Sequence, residues 1–157
     1  MLSLCRSAIV LAASLFPAVP LFAQDAETPY WASIRAEEAN MRVGPGENFP
    51  ISWVYHRSGL PVKVLRIMQG WRRVEEPDGT RGWISASLLT RNRTAIIIGE
   101  GLAAIRADHD DGSDLRWNVE PGVTGSLGDC KVGWCEFDVS GHRGWVKQVR
   151  LWGTGEP

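Results

Sequence analysis

The feature that most constrains the fold is an internal repeat of two tryptophan-flanked hairpins. Residues 70–84 read GWRRVEEPDGTRGWI, and residues 133–146 read GWCEFDVSGHRGWV, with one residue fewer in the loop. Each copy has two short runs containing aromatic and β-branched residues around a loop of turn-forming residues, which predicts a β-hairpin. Because self-similarity at this scale indicates duplicated structural units, the sequence predicts two similar units in tandem.

The first 23 residues have the pattern of a secretory signal peptide. Arg6 precedes an apolar run at 7–16, and small residues lie near Ala23. Pro17 and Pro20 interrupt the apolar segment, whereas a membrane-spanning helix needs about 20 continuous apolar residues. We therefore expect cleavage after Ala23 and export to the periplasm or the extracellular space. An uncleaved segment is the alternative, and it is the one expected route to membrane attachment.

Turn signals divide the rest of the chain into a short linker and two β-rich units. The expected boundaries are 24–29 for the linker, 30–95 for the first unit and 96–157 for the second unit. Short strand patterns alternate with turns containing Gly and Pro, and an amphipathic helical period is lacking after residue 23. The sequence therefore predicts an all-β protein of two tandem small barrels. One helical turn is expected in each unit, at 85–88 and 147–149, before a short last strand.

Tryptophan and glycine recur at matching positions in the two units. Because small β units have little interior, we expect the recurring aromatic side chains to fill it. These are Trp71, Trp83, Trp134 and Trp145. A glycine directly before a strand tryptophan, at 82 and 144, predicts a bulge or a close backbone approach.

Several motifs resemble those of the bacterial SH3-like domains of exported proteins. In the first unit they are NMRVGPG at 40–46, GLPVKV at 59–64, GWRRV at 70–74 and GTRGWI at 79–84. In the second unit they are EPGV at 120–123, GWC at 133–135 and RGWV at 143–146. Ile105 and Arg106 are the remnant of the first motif in that unit. The resemblance implies two tandem SH3-like barrels of five or six strands each, and a binding or interaction role, often at the cell wall, without enzymatic activity.

Two cysteines, Cys130 and Cys135, remain after removal of the signal peptide. An even number in an exported protein favours a disulfide, and four intervening residues suit a bridge across a hairpin turn. We expect this short crosslink to contribute about 2 kcal/mol. A zinc site with His142 is the disfavoured alternative, because a second pair of closely spaced ligands is lacking.

The sequence predicts neither a catalytic site nor a metal or cofactor site. A cysteine nucleophile requires a free activated thiol beside a histidine, and pairing removes both thiols. The Gly-x-Ser-x-Gly, Gly-x-Gly-x-x-Gly and phosphate-loop motifs do not occur. In the acidic loop 108–114, Gly112 is fifth and Val119 is twelfth when counted from Asp108, whereas a calcium loop needs Gly sixth and Glu twelfth. A solvated loop is the favoured interpretation.

The two units carry opposite net charges. Residues 30–95 contain ten basic and six acidic residues, a net charge of +4, and residues 96–157 contain six basic and ten acidic residues, a net charge of −4. This asymmetry is compatible with two independent solvated surfaces, with docking of the units on each other, or with different partners. Neither unit is basic enough to indicate nucleic-acid binding.

Aromatic and arginine residues near the first glycine-rich loop are the candidate ligand-binding residues. They are Phe49, Trp53, Tyr55, Arg42 and Arg57. Aromatic faces beside arginines suit stacking on sugar rings or gripping of a peptide, although a core position is the favoured interpretation for Trp53 and Tyr55. The expected ligand is peptidoglycan, as glycopeptide or peptide. The alternative is a structural subunit that binds an envelope protein.

Overall fold

Residues 28–157 are described by a computed structural model, and they form two seven-stranded antiparallel sheets without an α-helix. The predicted signal peptide and residues 24–27 of the predicted linker lie outside the described residues. The first sheet, which we call the first domain, has the strand order β3-β2-β6-β5-β4-β1-β7. Its strands are β1 (Tyr30–Ile34), β2 (Ala39–Arg42), β3 (Ile51–Tyr55), β4 (Pro61–Met68), β5 (Trp71–Glu75), β6 (Arg81–Ser85) and β7 (Leu89–Thr90).

The second sheet, the second domain, repeats this order as β10-β9-β13-β12-β11-β8-β14. Its strands are β8 (Thr94–Ile97), β9 (Ala103–Arg106), β10 (Leu115–Val119), β11 (Thr124–Lys131), β12 (Trp134–Val139), β13 (His142–Lys147) and β14 (Leu151–Trp152). Single 3-10 turns at Ala86–Leu88 and Gln148–Arg150 precede the last strands, as the sequence predicts. Each domain has seven strands rather than five or six, because a two-residue strand after the 3-10 turn adds to the sheet.

The interior of each domain is mainly aliphatic. The buried cluster of the first domain consists of Ala32, Ile34, Ala39, Met41, Tyr55, Val62, Val64, Val74 and Ile84. The cluster of the second domain consists of Ala95, Ile97, Ala103, Ile105, Cys135, Phe137, Val146 and Leu151. Two compact clusters of this kind are what the repeat predicts for a tandem β protein.

The prediction that four recurring tryptophans fill these interiors holds only in part. Trp83 and Trp134 are buried, at 8% and 7% exposure, but Trp71 and Trp145 are only half-buried, and none of the four belongs to either cluster. Successive side chains of a strand point to opposite faces. Because Ile84 points into the cluster, its neighbour Trp83 lies on the opposite face of the strand.

The predicted close approach at the two strand glycines is confirmed. A Cβ on Gly144 would lie 2.5 Å from the backbone oxygen of Arg106 and 2.5 Å from Cγ2 of Ile105. A Cβ on Gly82 would collide with the side chain of Met41. Each glycine therefore lets a core residue from the neighbouring strand pack directly over the backbone.

The disulfide predicted between Cys130 and Cys135 is present. The two residues are directly opposite each other in the antiparallel ladder between β11 and β12. Val132 and Gly133 form the turn, with φ angles of 49° and 79°. Positive φ at both central residues is the type I′ pattern, which matches the twist of the two flanking strands.

Aromatic and main-chain contacts join the two domains. Trp31 packs edge-to-face on Trp152, with ring centroids 4.8 Å apart, and its indole N–H donates to the carbonyl oxygen of Gly155 at 3.0 Å. Arg57 donates to the carbonyl oxygen of Gly122 at 3.2 Å. Within residues 28–157, the ion pairs each join groups of one domain. The opposite net charges of the domains therefore do not supply these contacts.

Candidate ligand-binding grooves

A bulge in β3 presents Trp53 to solvent. The register between β2 and β3 shifts between Met41 and Arg42, which leaves Ser52 as the extra residue on β3. A bulge bends its strand and redirects the neighbouring side chains. Trp53 is 60% exposed, whereas Tyr55 is 5% exposed and belongs to the core. The core interpretation that the sequence left open therefore holds for Tyr55, and Trp53 is a surface residue.

Trp53 forms one side of a groove of about 340 Å³, a volume within the range of small-molecule sites. The opposite side is the turn that joins β5 to β6. The remaining lining residues are Met41, Ser52, Glu76, Asp78, Thr80 and Arg81. This site, which we call the Trp53 groove, combines an exposed indole with acidic and basic groups.

The electrostatics of the Trp53 groove depend on two carboxyl groups of different burial. Burial raises the pKa of the Glu76 carboxyl; the nearby Tyr55 hydroxyl opposes that rise and the Asp78 charge adds to it. The pKa of Tyr55 is itself raised, first by burial and then by the Glu76 charge. Asp78 accepts a hydrogen bond of 2.8 Å from the backbone N–H of Thr80, which lowers the pKa of Asp78. The exposed Asp78 thus supplies a dependable negative charge at neutral pH.

The other predicted binding residues lie outside this groove. Arg42 donates to the carbonyl oxygen of Phe49 at 2.7 Å, which ties the β2–β3 loop to its own strand. Phe49 is 38% exposed and packs against Gly44 of the same loop. Arg57 is directed to the second domain, at Gly122. The structure therefore brings Arg42 and Phe49 together and places Arg57 at the boundary between the domains.

The second domain repeats the exposed tryptophan. The register between β9 and β10 shifts between Leu115 and Trp117, so that Arg116 is the extra residue, as Ser52 is in the first domain. Trp117 is 37% exposed, and its ring lies 5.1 Å from the ring of His142 at an interplanar angle of 84°. A groove of about 390 Å³, the Trp117 groove, surrounds it. Besides Trp117 and His142, the residues that line it are Ile105, Asn118, Val119, Glu120, Val123 and Val139.

Sequence reasoning missed Trp117, although a signal for it was present. The pair Ile105-Arg106 is the remnant of the Met41-Arg42 motif. Alignment of the repeats on that remnant makes Trp117 the counterpart of Trp53, since Trp117 pairs with Ile105 as Trp53 pairs with Met41. Each tryptophan follows its arginine, Arg42 or Arg106, by 11 positions, so equal spacing was the available signal, and the absence of the Asn-x-Arg-x-Gly-Pro motif from the second domain hid the correspondence.

The model of the family described as the bacterial SH3 domain matches residues 35–90 and 99–153. The chain belongs to the bacterial SH3 domain family. Each matched range contains one of the exposed tryptophans, and the two matches confirm the tandem SH3-like repeats that the sequence predicts.

The chain is also similar to part of a longer curated protein. The chain is 25% identical over 150 residues to the putative N-acetylmuramoyl-L-alanine amidase YrvJ of Bacillus subtilis (strain 168). The match covers 88% of this chain and 28% of the amidase, so the chain spans just over a quarter of the length of this curated relative.

Solved structures to which the chain is similar include two proteins of Trichomonas vaginalis. NlpC2 is 14% identical with a TM-score of 0.37, and the match covers 83% of this chain and 50% of NlpC2. NlpC1 is 13% identical with a TM-score of 0.37, and the match covers 84% of this chain and 49% of NlpC1. An NlpC/P60 family protein from Bacillus cereus is 12% identical with a TM-score of 0.35, over 78% of this chain and 55% of that protein.

Metal-ligating side chains are dispersed over the two SH3 domains. Within residues 28–157, no group of three or more His, Cys, Asp or Glu side chains is arranged to hold a metal ion. Acidic side chains of the loop contact protein groups. Asp110 accepts a 2.8 Å hydrogen bond from the N–H of Gly112, and Asp111 forms a 2.6 Å ion pair with Lys147 of β13. The described segment also has no helix long and apolar enough to cross a membrane.

Proposed function

We propose that this protein is a non-enzymatic module of the bacterial envelope that binds the peptide part of cell-wall glycopeptide in the Trp53 groove. The observation that carries the proposal is the 60% exposure of Trp53 above a groove with charges of both signs. An exposed indole gives apolar contact area at a low cost in conformational entropy. Wall peptides carry both amine and carboxylate groups, so the Asp78 carboxylate offers a partner for the amine. Arg81 pairs with Glu75 through Nε and one terminal nitrogen, and its other terminal nitrogen would contact the carboxylate.

The disulfide of the second domain and a curated relative support the envelope as the place of action. The Cys130–Cys135 disulfide is of the kind that persists in oxidising compartments outside the cytoplasm. The amidase that shares these domains is named for the bond between an amino sugar and alanine of the wall. In this proposal the SH3 domains hold such a polymer without changing it covalently, and the predicted export of the chain gives them access to it.

Co-sedimentation of the full mature chain with insoluble peptidoglycan tests the proposal. We expect binding that persists from 0.1 to 1 M NaCl, because the contact with Trp53 is apolar while exposed charges are screened over that range. Trp53→Ala should weaken binding tenfold or more. Met68→Ala, which truncates another exposed apolar side chain, should leave binding unchanged. Absence of binding by the wild type, or equal binding by Trp53→Ala, would overturn the proposal.

A second candidate function is retention of another envelope protein. Leu102 and Val149 are 56% and 78% exposed and line one shallow groove on the second domain. Exposed apolar groups that share a groove are typical of protein interaction sites. Capture of one defined envelope protein, lost in Leu102→Ser and retained in Trp53→Ala, together with absent wall binding, would favour this function over peptide recognition.

A further inference from the structure

We propose that the Trp117 groove is a second, chemically different site that binds an N-acetylated sugar ring. In this view the second domain holds the glycan while the first domain holds the peptide of the same polymer. The inference rests on the proposed function for the identity of that polymer. The site itself is argued from the residues of the second domain alone.

The exposed indole of Trp117 supplies the surface on which a sugar would stack. The bulge at Arg116 directs Trp117 outward, and the ring of His142 stands nearly perpendicular to the indole at 84°. A π face carries partial negative charge, and the C–H groups on one side of a pyranose ring carry partial positive charge. Such a ring therefore fits over the exposed part of Trp117.

The polar groups beside Trp117 suit hydroxyl and amide groups. Nδ1 of His142 lies 3.2 Å from the carbonyl oxygen of Val139. Because a carbonyl oxygen only accepts hydrogen bonds, Nδ1 is the donor of this contact, and Nε2 is the second polar atom of the ring. Asn118 and Glu120 line the same groove. Sugar hydroxyls both donate and accept, so this mixed set of donors and acceptors matches them.

The charge of the groove separates its ligand from that of the Trp53 groove. Among the residues of the described chain that line the Trp117 groove, Glu120 is the single acidic group, and Lys and Arg are absent. A peptide with an amine and a carboxylate would leave one of its charges without a partner there, which costs binding free energy. A neutral ring avoids this cost. Val119, Val123 and Val139 add an apolar wall that suits the methyl group of an acetamido substituent.

The proposal is tested by NMR of the full mature chain with ¹⁵N-labelled indoles. The probes are the tetramer of N-acetylglucosamine, a maltotetraose control without acetamido groups, and a free wall stem tetrapeptide. Trp117→Ala and Trp53→Ala each remove one indole signal and so assign it. The remaining indole signals report whether each variant is folded.

We expect the N-acetylglucosamine tetramer to shift the Trp117 signal and the stem peptide to shift the Trp53 signal. Trp117→Ala should weaken sugar binding tenfold or more, and maltotetraose should bind at least fivefold more weakly than the acetylated sugar. If the peptide shifts Trp53 while the sugar leaves Trp117 unmoved or shifts Trp53 instead, the sugar site is overturned and the proposed function stands. If the sugar shifts Trp117 and the peptide shifts no signal, the sugar site stands and peptide recognition fails.

Discussion

The two domains share one topology but place their large core side chain on different strands. In the first domain Tyr55 of β3 enters the core and Val74 of β5 faces it. In the second domain, the residue that corresponds to Tyr55 is the smaller, half-buried Val119 on β10. The residue that corresponds to Val74 is the fully buried Phe137 on β12. The large aromatic side chain of the core thus comes from β3 in the first domain and from β12 in the second domain.

A third position compensates for this exchange. Val62 of β4, which pairs with Ala32, corresponds by register to Gly125 of β11, which pairs with Ala95. A Cβ on Gly125 would lie 2.8 Å from Cζ of Phe137. The glycine thus gives the ring the space that the valine side chain fills in the first domain. The fold therefore constrains the total volume of the core side chains and not which strand carries the large one.

The largest expected difference between the domains is the loss of stability on replacing the strand glycine, Gly144 or Gly82, by alanine. Gly144→Ala should cost about 3 kcal/mol, because the new Cβ meets the rigid backbone oxygen of Arg106 at 2.5 Å. Gly82→Ala should cost less, about 2 kcal/mol, because the new Cβ meets side-chain atoms of the buried Met41 and a backbone oxygen, that of Arg42, only at 3.1 Å. Thermal unfolding by calorimetry, with hydrogen exchange of β9 and β2 to separate the domains, measures both changes. Equal losses would contradict the argument from backbone rigidity.

Loss of the disulfide should affect the second domain alone. Reduction of Cys130–Cys135 removes a crosslink that closes a short loop, which is worth about 2 kcal/mol. We expect a reductant to lower the stability of the second domain by about this amount and to leave hydrogen exchange in the first domain unchanged. The variant Cys130→Ser/Cys135→Ala is the control, because a reductant should no longer alter its unfolding. An unchanged wild type in reductant would show that the crosslink carries no stability.

The hairpin turn that the disulfide closes contains an unfavourable residue. Val132 has a φ of 49° and is 89% exposed, and a β-branched residue is disfavoured in that region of backbone space. The equivalent residue in the first domain is Gln69, with a φ of 50°. Val132→Asn should therefore stabilise the second domain by about 1 kcal/mol, measured by thermal unfolding. Val149→Asn, at an exposed valine outside a positive-φ turn, should give no gain, and a gain there would remove the conformational explanation.

The repeat made much of this fold predictable from the sequence. Turn residues and strand patterns located both domains, the 3-10 turns at 86–88 and 148–150, and the disulfide hairpin. Those features follow from local chemistry, which a sequence displays directly. The close approach at Gly82 and Gly144 was predictable for the same reason, since each glycine interrupts a strand beside a tryptophan.

The position of each aromatic side chain was less predictable. Recurrence of Trp83 in the repeat predicts a position in the core cluster. Because side chains alternate between the two faces of β6, Ile84 occupies that position and Trp83 lies on the opposite face. Trp53 is exposed because a bulge one residue earlier redirects the strand. A bulge depends on pairing between strands, which the sequence of one strand does not display.

The smallest expected difference concerns a carboxylate at equivalent positions of β5 and β12. Glu75 is held by Arg81 at 2.6 Å and Lys63 at 3.4 Å, whereas Asp138 has one ion pair, with Arg143 at 3.5 Å. The hydrogen bond from Arg81 is the main cause that lowers the pKa of Glu75 below its usual 4.5. A lowered pKa in the folded state stabilises the fold above the unfolded-state value, and this stabilisation is lost as the pH falls through the folded-state pKa.

Glu75→Gln should thus cost about 0.5 to 1 kcal/mol at pH 7, and the cost should shrink steadily as the pH falls below the usual value of 4.5, in denaturant titrations over a series of pH values. Asp138→Asn should cost less than half of that at pH 7, because its single contact is long and exposed while its oxygen still accepts the N–H of Gly141. If the two variants lose the same stability at pH 7, the second cation at Glu75 contributes nothing. A loss at Glu75→Gln that stays constant as the pH falls would assign the effect to packing of the side chain instead of its charge.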